Sequence, residues 1–202
     1  QCGEIVLRFQ DSKRLGEDAI AVRAATLTQD GNFALAGYTF YPDYRGMLVK
    51  LWKDGTLAWG QTYEEGTGLG VQLEAVASLE SGGFVVGGTQ VDIGPNDAIV
   101  LAETDSAGSV AWMQRYDTPG RDGHVALWRT PADNGVLMGA TAGGLVNDVD
   151  SAFVLKVPRK NGQLAFSAGT GATLDALAVT DAGVCLAVEP YAGGVIESLP
   201  AQ

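Results

Sequence analysis

The chain has 202 residues, of which 28 are glycine and 46% are hydrophobic, and 24 acidic residues against 13 lysines and arginines give a net charge of −11. The apolar share excludes a disordered chain, and the glycines lack the three-residue period of collagen. No apolar run reaches the roughly 18 residues of a membrane-spanning helix, and an acidic chain without a basic cluster is a poor partner for nucleic acid.

Short apolar segments separated by glycine turns begin after residue 20. Residues 24–28 and 33–37 flank a turn at Gly31, and their apolar alternation predicts an antiparallel hairpin. Residues 47–52 precede a second turn at Gly55, where another apolar segment follows. Glycine permits the positive φ that such tight turns require. The two hairpins together predict a unit of four strands, which we call A, B, C and D.

The same unit recurs along the rest of the chain. Its A–B turn glycines lie 52, 52 and 48 residues apart (83 − 31, 135 − 83 and 183 − 135). A four-stranded repeat of about fifty residues is typical of a β-propeller blade. The predicted blades are residues 20–63, 72–116, 124–168, and 174–202 completed by 3–9.

The two ends of the chain complement each other. The last unit has no D strand, whereas residues 3–9 have the pattern of a D strand without a unit. Donating this segment to the last blade would remove exposed sheet edges. The sequence therefore predicts an all-β, four-bladed β-propeller with four-stranded antiparallel blades, a single domain over residues 1–202, closed by the N-terminal strand. A fragment of a longer propeller is the alternative.

Three segments resemble the repeats of bacterial surface β-propeller proteins. They are Gly16-Glu-Asp-Ala-Ile-Ala-Val22, Asp30-Gly-Asn-Phe-Ala-Leu-Ala-Gly-Tyr-Thr39 and Asn96-Asp-Ala-Ile-Val-Leu-Ala102 with the turn at Gly108. The resemblance covers most of the chain, but it rests on turn glycines and core strands. It implies a propeller fold and a secreted, periplasmic or cell-surface location in a bacterium, and it brings no catalytic residues.

Aromatic side chains crowd the predicted B–C loops. Tyr41 and Tyr44, with Arg45 beside them, occupy the first loop, and Tyr191 occupies the fourth. Exposed aromatic residues on loops indicate contact with a ligand or a protein. Since B–C and D–A loops fall on one rim of a propeller, we predict that these residues bind a ligand there.

Four further candidates lie on the predicted inner strands, which line the channel of a propeller. They are Arg23, Glu74, Trp128 and Asp175. Arg23 and Glu74 could pair across the channel or hold a ligand within it. Which of these side chains face inward depends on the strand register, because a slip of one residue turns every side chain to the other face.

Two clusters raise other chemistry. His124, the single histidine, lies near Asp122 and could act as a general base. Asp148 and Asp150, in the third B–C loop, could hold Ca²⁺ through oxygen ligands, although a solvated acidic rim is the favoured explanation. No other cofactor is expected.

The combined pattern predicts a non-enzymatic binding or interaction module that presents loops on one rim. Its ligand would be a glycan, a small molecule or a protein. One alternative is a hydrolase or lyase that uses His124 with a nearby carboxylate. The other is a structural unit that assembles with further chains.

Overall fold

The structure is a computed structural model in which the described residues are strands and the turns between them. It describes residues 20–40, 44–64, 70–91, 97–116, 123–130, 135–146, 149–157, 167–169, 173–180, 183–189 and 195–200, with side chains as far as residue 141 except at position 124. None of the described residues is helical, which confirms the predicted all-β class.

The strand bounds follow the predicted A–B–C–D order. The strands are β1 (Ile20–Leu27), β2 (Phe33–Thr39), β3 (Arg45–Leu51), β4 (Leu57–Tyr63), β5 (Gly70–Ser78), β6 (Phe84–Val91), β7 (Ala98–Thr104), β8 (Val110–Tyr116), β9 (Gly123–Thr130), β10 (Gly135–Val146), β11 (Val149–Val157), β12 (Ser167–Gly169), β13 (Thr173–Thr180), β14 (Gly183–Glu189) and β15 (Val195–Pro200).

These strands form four antiparallel sheets, each a meander of consecutive strands. Sheet 1 is β1 to β4, sheet 2 is β5 to β8, sheet 3 is β9 to β12 and sheet 4 is β13 to β15. The segment predicted to complete sheet 4, residues 3–9, lies outside the described residues. Within the described part of the chain, no strand pairs beyond β15 and no sheet closes on itself.

The tight turns place glycine where only glycine is unstrained. Gly31 and Gly55 in sheet 1, and Gly82 and Gly108 in sheet 2, have φ between 75° and 84°. In sheet 2 the positive φ therefore belongs to Gly82, not to Gly83, which the repeat count had taken as the turn glycine. A Cβ on Gly83 would instead lie 2.2 Å from the carbonyl oxygen of Thr104.

The first strands of sheets 1, 2 and 4 each skip one residue of the ladder. The pairing skips one residue between Val22 and Ala24 in β1, between Leu73 and Ala75 in β5, and between Leu174 and Ala176 in β13. A β-bulge of this kind re-aims a side chain and is common next to functional sites. The skipped residues, Arg23, Glu74 and Asp175, are three of the four predicted channel residues.

The sheets stack through two apolar cores. The core between sheets 1 and 2 contains Ala36, Leu48, Leu73 and Phe84, and Trp59 packs against it. The core between sheets 2 and 3 contains the fully buried Ile99, Leu101 and Met138, and Trp112 packs against it. Trp59 and Trp112, which occupy matching positions in β4 and β8, therefore both pack on an inter-sheet core.

Each later sheet contacts its predecessor mainly through its own first strand. β5 packs against β1, β2 and β3, β9 packs against β5, β6 and β7, and β13 packs against β9, β10 and β11. Because the first strands are the shared contact elements, they lie next to one another along the stack.

The second face of sheet 1 is also buried at its centre. Met47 and Val49, which point away from sheet 2, are fully buried, with Phe33 and Leu35 packed against them. On the same face, Leu27 of β1 is 62% exposed. The burial on this face therefore covers β3 but leaves part of the first strand open.

Candidate functional site

A cleft of about 440 Å³ lies between three first strands. β1, β5 and β9 each contribute consecutive residues to its walls. We call it the first-strand cleft, and its lining residues are Ala25, Thr26, Val76, Ala77, Ser78, Leu127, Trp128 and Arg129. Its volume lies within the roughly 300–1,000 Å³ of small-molecule sites.

The repeat places the same ladder positions of each sheet in this cleft. In each of sheets 1 to 3, these lining residues and their second-strand partners lie at the same distance from the register shift of the ladder. The pairs are Ala25–Leu35, Val76–Val86 and Leu127–Met138 in one row, and Thr26–Ala34, Ala77–Val85 and Trp128–Leu137 in the next.

Trp128 is the large residue of its row. Sheets 1 and 2 have the small residues Thr26 and Ala77 at the equivalent positions. The Trp128 side chain is 42% exposed. A large aromatic group that stays open to solvent in a concave site is available for stacking against a ligand.

Polar groups lie at the turn-side edge of the cleft. Arg129 Nη2 and Glu80 Oε1 form an ion pair at 2.6 Å. Arg129 Nε is buried and has no hydrogen-bond partner among the described residues. The Ser78 hydroxyl donates to the backbone carbonyl of Leu27 at 2.9 Å, which joins β5 to β1. The cleft therefore combines an aromatic and aliphatic wall with a charge-balanced polar edge.

Glu74, at the bulge of β5, connects two neighbouring sheets. Its Oε2 accepts a hydrogen bond from the backbone N–H of Val125 in β9 at 2.8 Å, and its Oε1 accepts one from the Thr89 hydroxyl at 3.3 Å. A carboxylate is a strong acceptor for a backbone N–H. The structure thus bonds Glu74 to the next sheet rather than to Arg23 across a channel.

A second aromatic surface lies where β2 leads into β3. The rings of Tyr38, Phe40 and Tyr44, which we call the aromatic cluster, have centroids 5.0 to 6.1 Å apart. Phe40 and Tyr44 are 43% and 40% exposed. Beside them, Arg45 Nε lies 3.4 Å from Glu64 Oε2. The predicted pair Tyr44 and Arg45 therefore belongs to an exposed aromatic patch with an ion pair at its side.

The cleft and the aromatic cluster lie towards opposite ends of the strands. Tyr38 pairs with Ala21 at the loop end of β1, whereas Ala34 pairs with Thr26 close to the hairpin turn. Trp128 occupies the Thr26 row. The structure consequently places Trp128 apart from Tyr44 and Arg45; all three are predicted ligand-binding residues, Trp128 on an inner strand and the other two in a B–C loop.

For the other predicted site residues, the structure describes either the strand position alone or nothing. His124, Asp150 and Asp175 lie in β9, β11 and β13 respectively. Those outside the described residues are Tyr41, Asp122, Asp148 and Tyr191. Of the side chains that are described, no three histidines, cysteines or carboxylates form a group able to hold a metal ion.

Three polar residues that line the cleft, Thr26, Ser78 and Arg129, escaped the sequence prediction, as did Glu80, the ion-pair partner of Arg129. The signal that could have found them was the repeat itself. Aligning the four first strands on their bulges places Thr26, Ala77 and Trp128 in one row and Ser78 and Arg129 in the next. Only the packing shows that these rows share a cleft.

Comparison with known proteins adds no relative. No protein-family model matches the chain, and none of the curated proteins is significantly similar to it. The described residues also contain no helix that is long and apolar enough to cross a membrane.

Proposed function

We propose that the chain is a four-bladed β-propeller that acts as a non-enzymatic binding module and takes its ligand in the first-strand cleft. The observation that carries this proposal is the exposed Trp128 in a concave site between three first strands. Most small-molecule sites have this composition, in which a largely apolar pocket carries a few polar groups that orient the ligand.

Two features support the propeller arrangement. First strands that gather around one cleft are expected where blades meet at a common axis. In addition, Met47 and Val49 are fully buried on the face of sheet 1 that points away from sheet 2. A sheet at the open end of a stack would leave that face to water, whereas the proposed ring would cover it with the last blade; among the described strands, those of sheet 4 contact mainly sheet 3.

The ring closure can be tested by removing the segment that is proposed to complete the last blade. Deletion of residues 1–9 should lower the thermal unfolding temperature, because an unpaired edge and its apolar contacts become exposed. A synthetic peptide of residues 1–12 should restore the temperature when added in excess. Unchanged stability on deletion would contradict closure by this strand.

The cleft residues favour binding over catalysis. A nucleophilic hydroxyl needs a base within hydrogen-bond reach. The Ser78 hydroxyl donates to a backbone carbonyl instead, and the Arg129 charge is taken up by Glu80. These groups can orient a ligand, and neither is set up to attack one.

The binding proposal predicts a ligand that depends on Trp128. A library of sugars, nucleosides, amino acids and short peptides would be screened by thermal shift, and hits measured by isothermal titration calorimetry. Trp128→Ala should abolish binding of a hit. Trp52→Ala is the matched control, because Trp52 is similarly exposed at 49% but lies in the β3–β4 turn. Equal losses in both variants, or none, would contradict the proposal.

The aromatic cluster favours a second function, contact with another protein through the loop end. A photo-crosslinking amino acid at position 44 should trap one dominant partner, and Phe40→Ser should reduce that product. The partner is expected outside the cytoplasm, because the repeats resemble those of bacterial surface proteins. Crosslinks between copies of this chain would indicate the assembly unit instead.

A further inference from the structure

The first-strand cleft offers a ligand two unlike sets of side chains. The apolar set is Val76, Ala77 and Leu127 with the exposed Trp128. The polar set is Arg129, which lines the cleft, and Glu80, which is bonded to it. A ligand that contacts both sets needs an apolar face and a polar edge within the same small ring system.

The charge of the site favours a neutral ligand. Arg129 is already paired with Glu80 at 2.6 Å, so it offers no uncompensated positive charge to an anion. The whole chain carries a net charge of −11, which repels anions at longer range. A cation would have to approach the Arg129 guanidinium closely. Neither an anion nor a cation therefore gains a favourable electrostatic interaction at the Arg129–Glu80 pair.

The hydrogen-bonding groups favour a ligand rich in hydroxyls. Arg129 Nε–H is a buried donor without a described partner, and a buried donor left unpaired costs roughly 1–3 kcal/mol. Glu80 is a carboxylate and only accepts. A hydroxyl group both donates and accepts, so neighbouring hydroxyls on one ring can bond to both residues, which a hydrocarbon cannot do.

We propose that the ligand of the first-strand cleft is a neutral carbohydrate, whose ring stacks on Trp128 and whose hydroxyls bond to Arg129 and Glu80. A pyranose ring has the two required surfaces, one lined with C–H groups and an edge of hydroxyls. The cleft volume of about 440 Å³ accommodates a ring of this size with room for a second unit. This inference rests on the proposed binding function and narrows it to one ligand class.

The test is a titration of the purified chain with defined sugars. The neutral probes are glucose, galactose, mannose, N-acetylglucosamine, maltose, cellobiose, lactose and chitobiose, and the charged probes are glucuronic acid and glucosamine. Calorimetry should detect binding of at least one neutral sugar. Its affinity should fall about tenfold or more in Trp128→Ala and less in Trp128→Phe, which keeps an aromatic face.

Two further variants separate stacking from hydrogen bonding. Arg129→Gln combined with Glu80→Gln removes the charges together and should weaken sugar binding while Trp128 is retained. Trp52→Ala should leave binding unchanged. The thermal unfolding temperature of each variant is measured first, so that loss of fold is not taken for loss of binding.

Each other outcome contradicts a stated part of the proposal. Tighter binding of a charged sugar would overturn the neutral ligand. If no sugar binds but another small molecule does so through Trp128, the carbohydrate inference fails and the binding function stands. If no ligand from the sugars or the wider library depends on Trp128, both fail.

Discussion

Sheets 1 and 2 have the same ladder but use their polar side chains differently. In both, a turn glycine precedes a phenylalanine of the second strand, Phe33 or Phe84, which pairs with the last residue of the first strand. The bulge residue is Arg23 in one sheet and Glu74 in the other, and only Glu74 bonds to the next sheet through its side chain in the described contacts. The shared apolar positions thus build the sheet, and the polar positions that vary give each sheet its separate contacts.

Burial differs between the two sheets in the same way. β5 has sheet 1 on one side and β9 on the other, and most of its residues are buried. β1 occupies the same place in its own sheet, yet Leu27 is 62% exposed. Equivalent strands therefore differ in stability according to their neighbours, and matched substitutions in the two sheets can measure that difference.

The largest difference in the free energy of unfolding is expected between substitutions of Phe84 and Phe33, which occupy equivalent positions in the two sheets. Phe84 is fully buried and meets Trp59 edge to face with centroids 5.9 Å apart. Phe84→Ala should lower the free energy of unfolding by about 3–5 kcal/mol. Phe33 is only half-buried, so Phe33→Ala should cost at least about 1 kcal/mol less. Equilibrium urea unfolding measures both, and equal losses would mean that sheet 1 is packed as tightly on its second face.

The next largest effect on the free energy of unfolding is expected at the bulge residues, Glu74 and Arg23. Glu74→Ala leaves the backbone N–H of the buried Val125 without its acceptor and should cost about 1–3 kcal/mol. Glu74→Gln keeps an acceptor oxygen and should cost less. Arg23→Ala, at the equivalent exposed bulge of sheet 1, should change stability by no more than about 0.5 kcal/mol. A large loss at Arg23 would show that it has a structural partner as important as that of Glu74.

The matched tyrosines at the ends of the fourth strands give a smaller effect. The Tyr63 hydroxyl donates to the Gly108 carbonyl at 2.7 Å, so Tyr63→Phe should cost about 1 kcal/mol. Burial, with a smaller contribution from Asp105, raises the Tyr63 pKa, and burial raises the pKa of Tyr116.

The raised pKa values of both tyrosines predict that the folded state loses stability at alkaline pH. Above the ordinary tyrosine pKa of about 10 the unfolded chain ionises first, so the folded state loses stability as pH rises further. Unfolding temperatures measured from pH 8 to 11.5 should fall less steeply in Tyr63→Phe and in Tyr116→Phe than in the unsubstituted chain. Parallel curves would contradict the burial of the hydroxyl in question.

A modest effect is expected at Asp30 in the first turn. Hydrogen bonds from Lys50 and then Thr28 hold the Asp30 pKa well below its usual range. The group is half-exposed, so Asp30→Asn should cost only about 0.5–1 kcal/mol at pH 7. A lowered pKa stabilises the fold above the usual carboxyl pKa of about 3.9, and the contribution disappears as pH falls further.

Sheet 2 provides the comparison for this contact. Glu103 takes the ladder position of Lys50, opposite Trp112, and accepts a hydrogen bond from the Trp112 indole N–H at 3.1 Å. Glu103→Gln retains an acceptor oxygen and should change the unfolding free energy by less than Asp30→Asn at pH 7. Urea titrations at pH 7 and pH 3 test both, and an Asp30→Asn loss that persists at pH 3 would contradict its electrostatic origin.

The strands, their antiparallel order and most turn glycines could be predicted from the sequence by itself, because alternation and turn chemistry are local properties of the chain. The repeat also located the inter-sheet tryptophans, since Trp59 and Trp112 recur at one strand position. The 202 residues and their glycine excess are explained by this repetition.

The tertiary structure decided which side chains meet. The bulges at Arg23 and Glu74 change the direction of side chains that simple alternation would place wrongly. Sheet stacking then brought Trp128 together with Ser78 and Thr26, which are about fifty and about a hundred residues away along the chain respectively. Sequence spacing carries no record of such contacts, because they depend on how one sheet packs against the next.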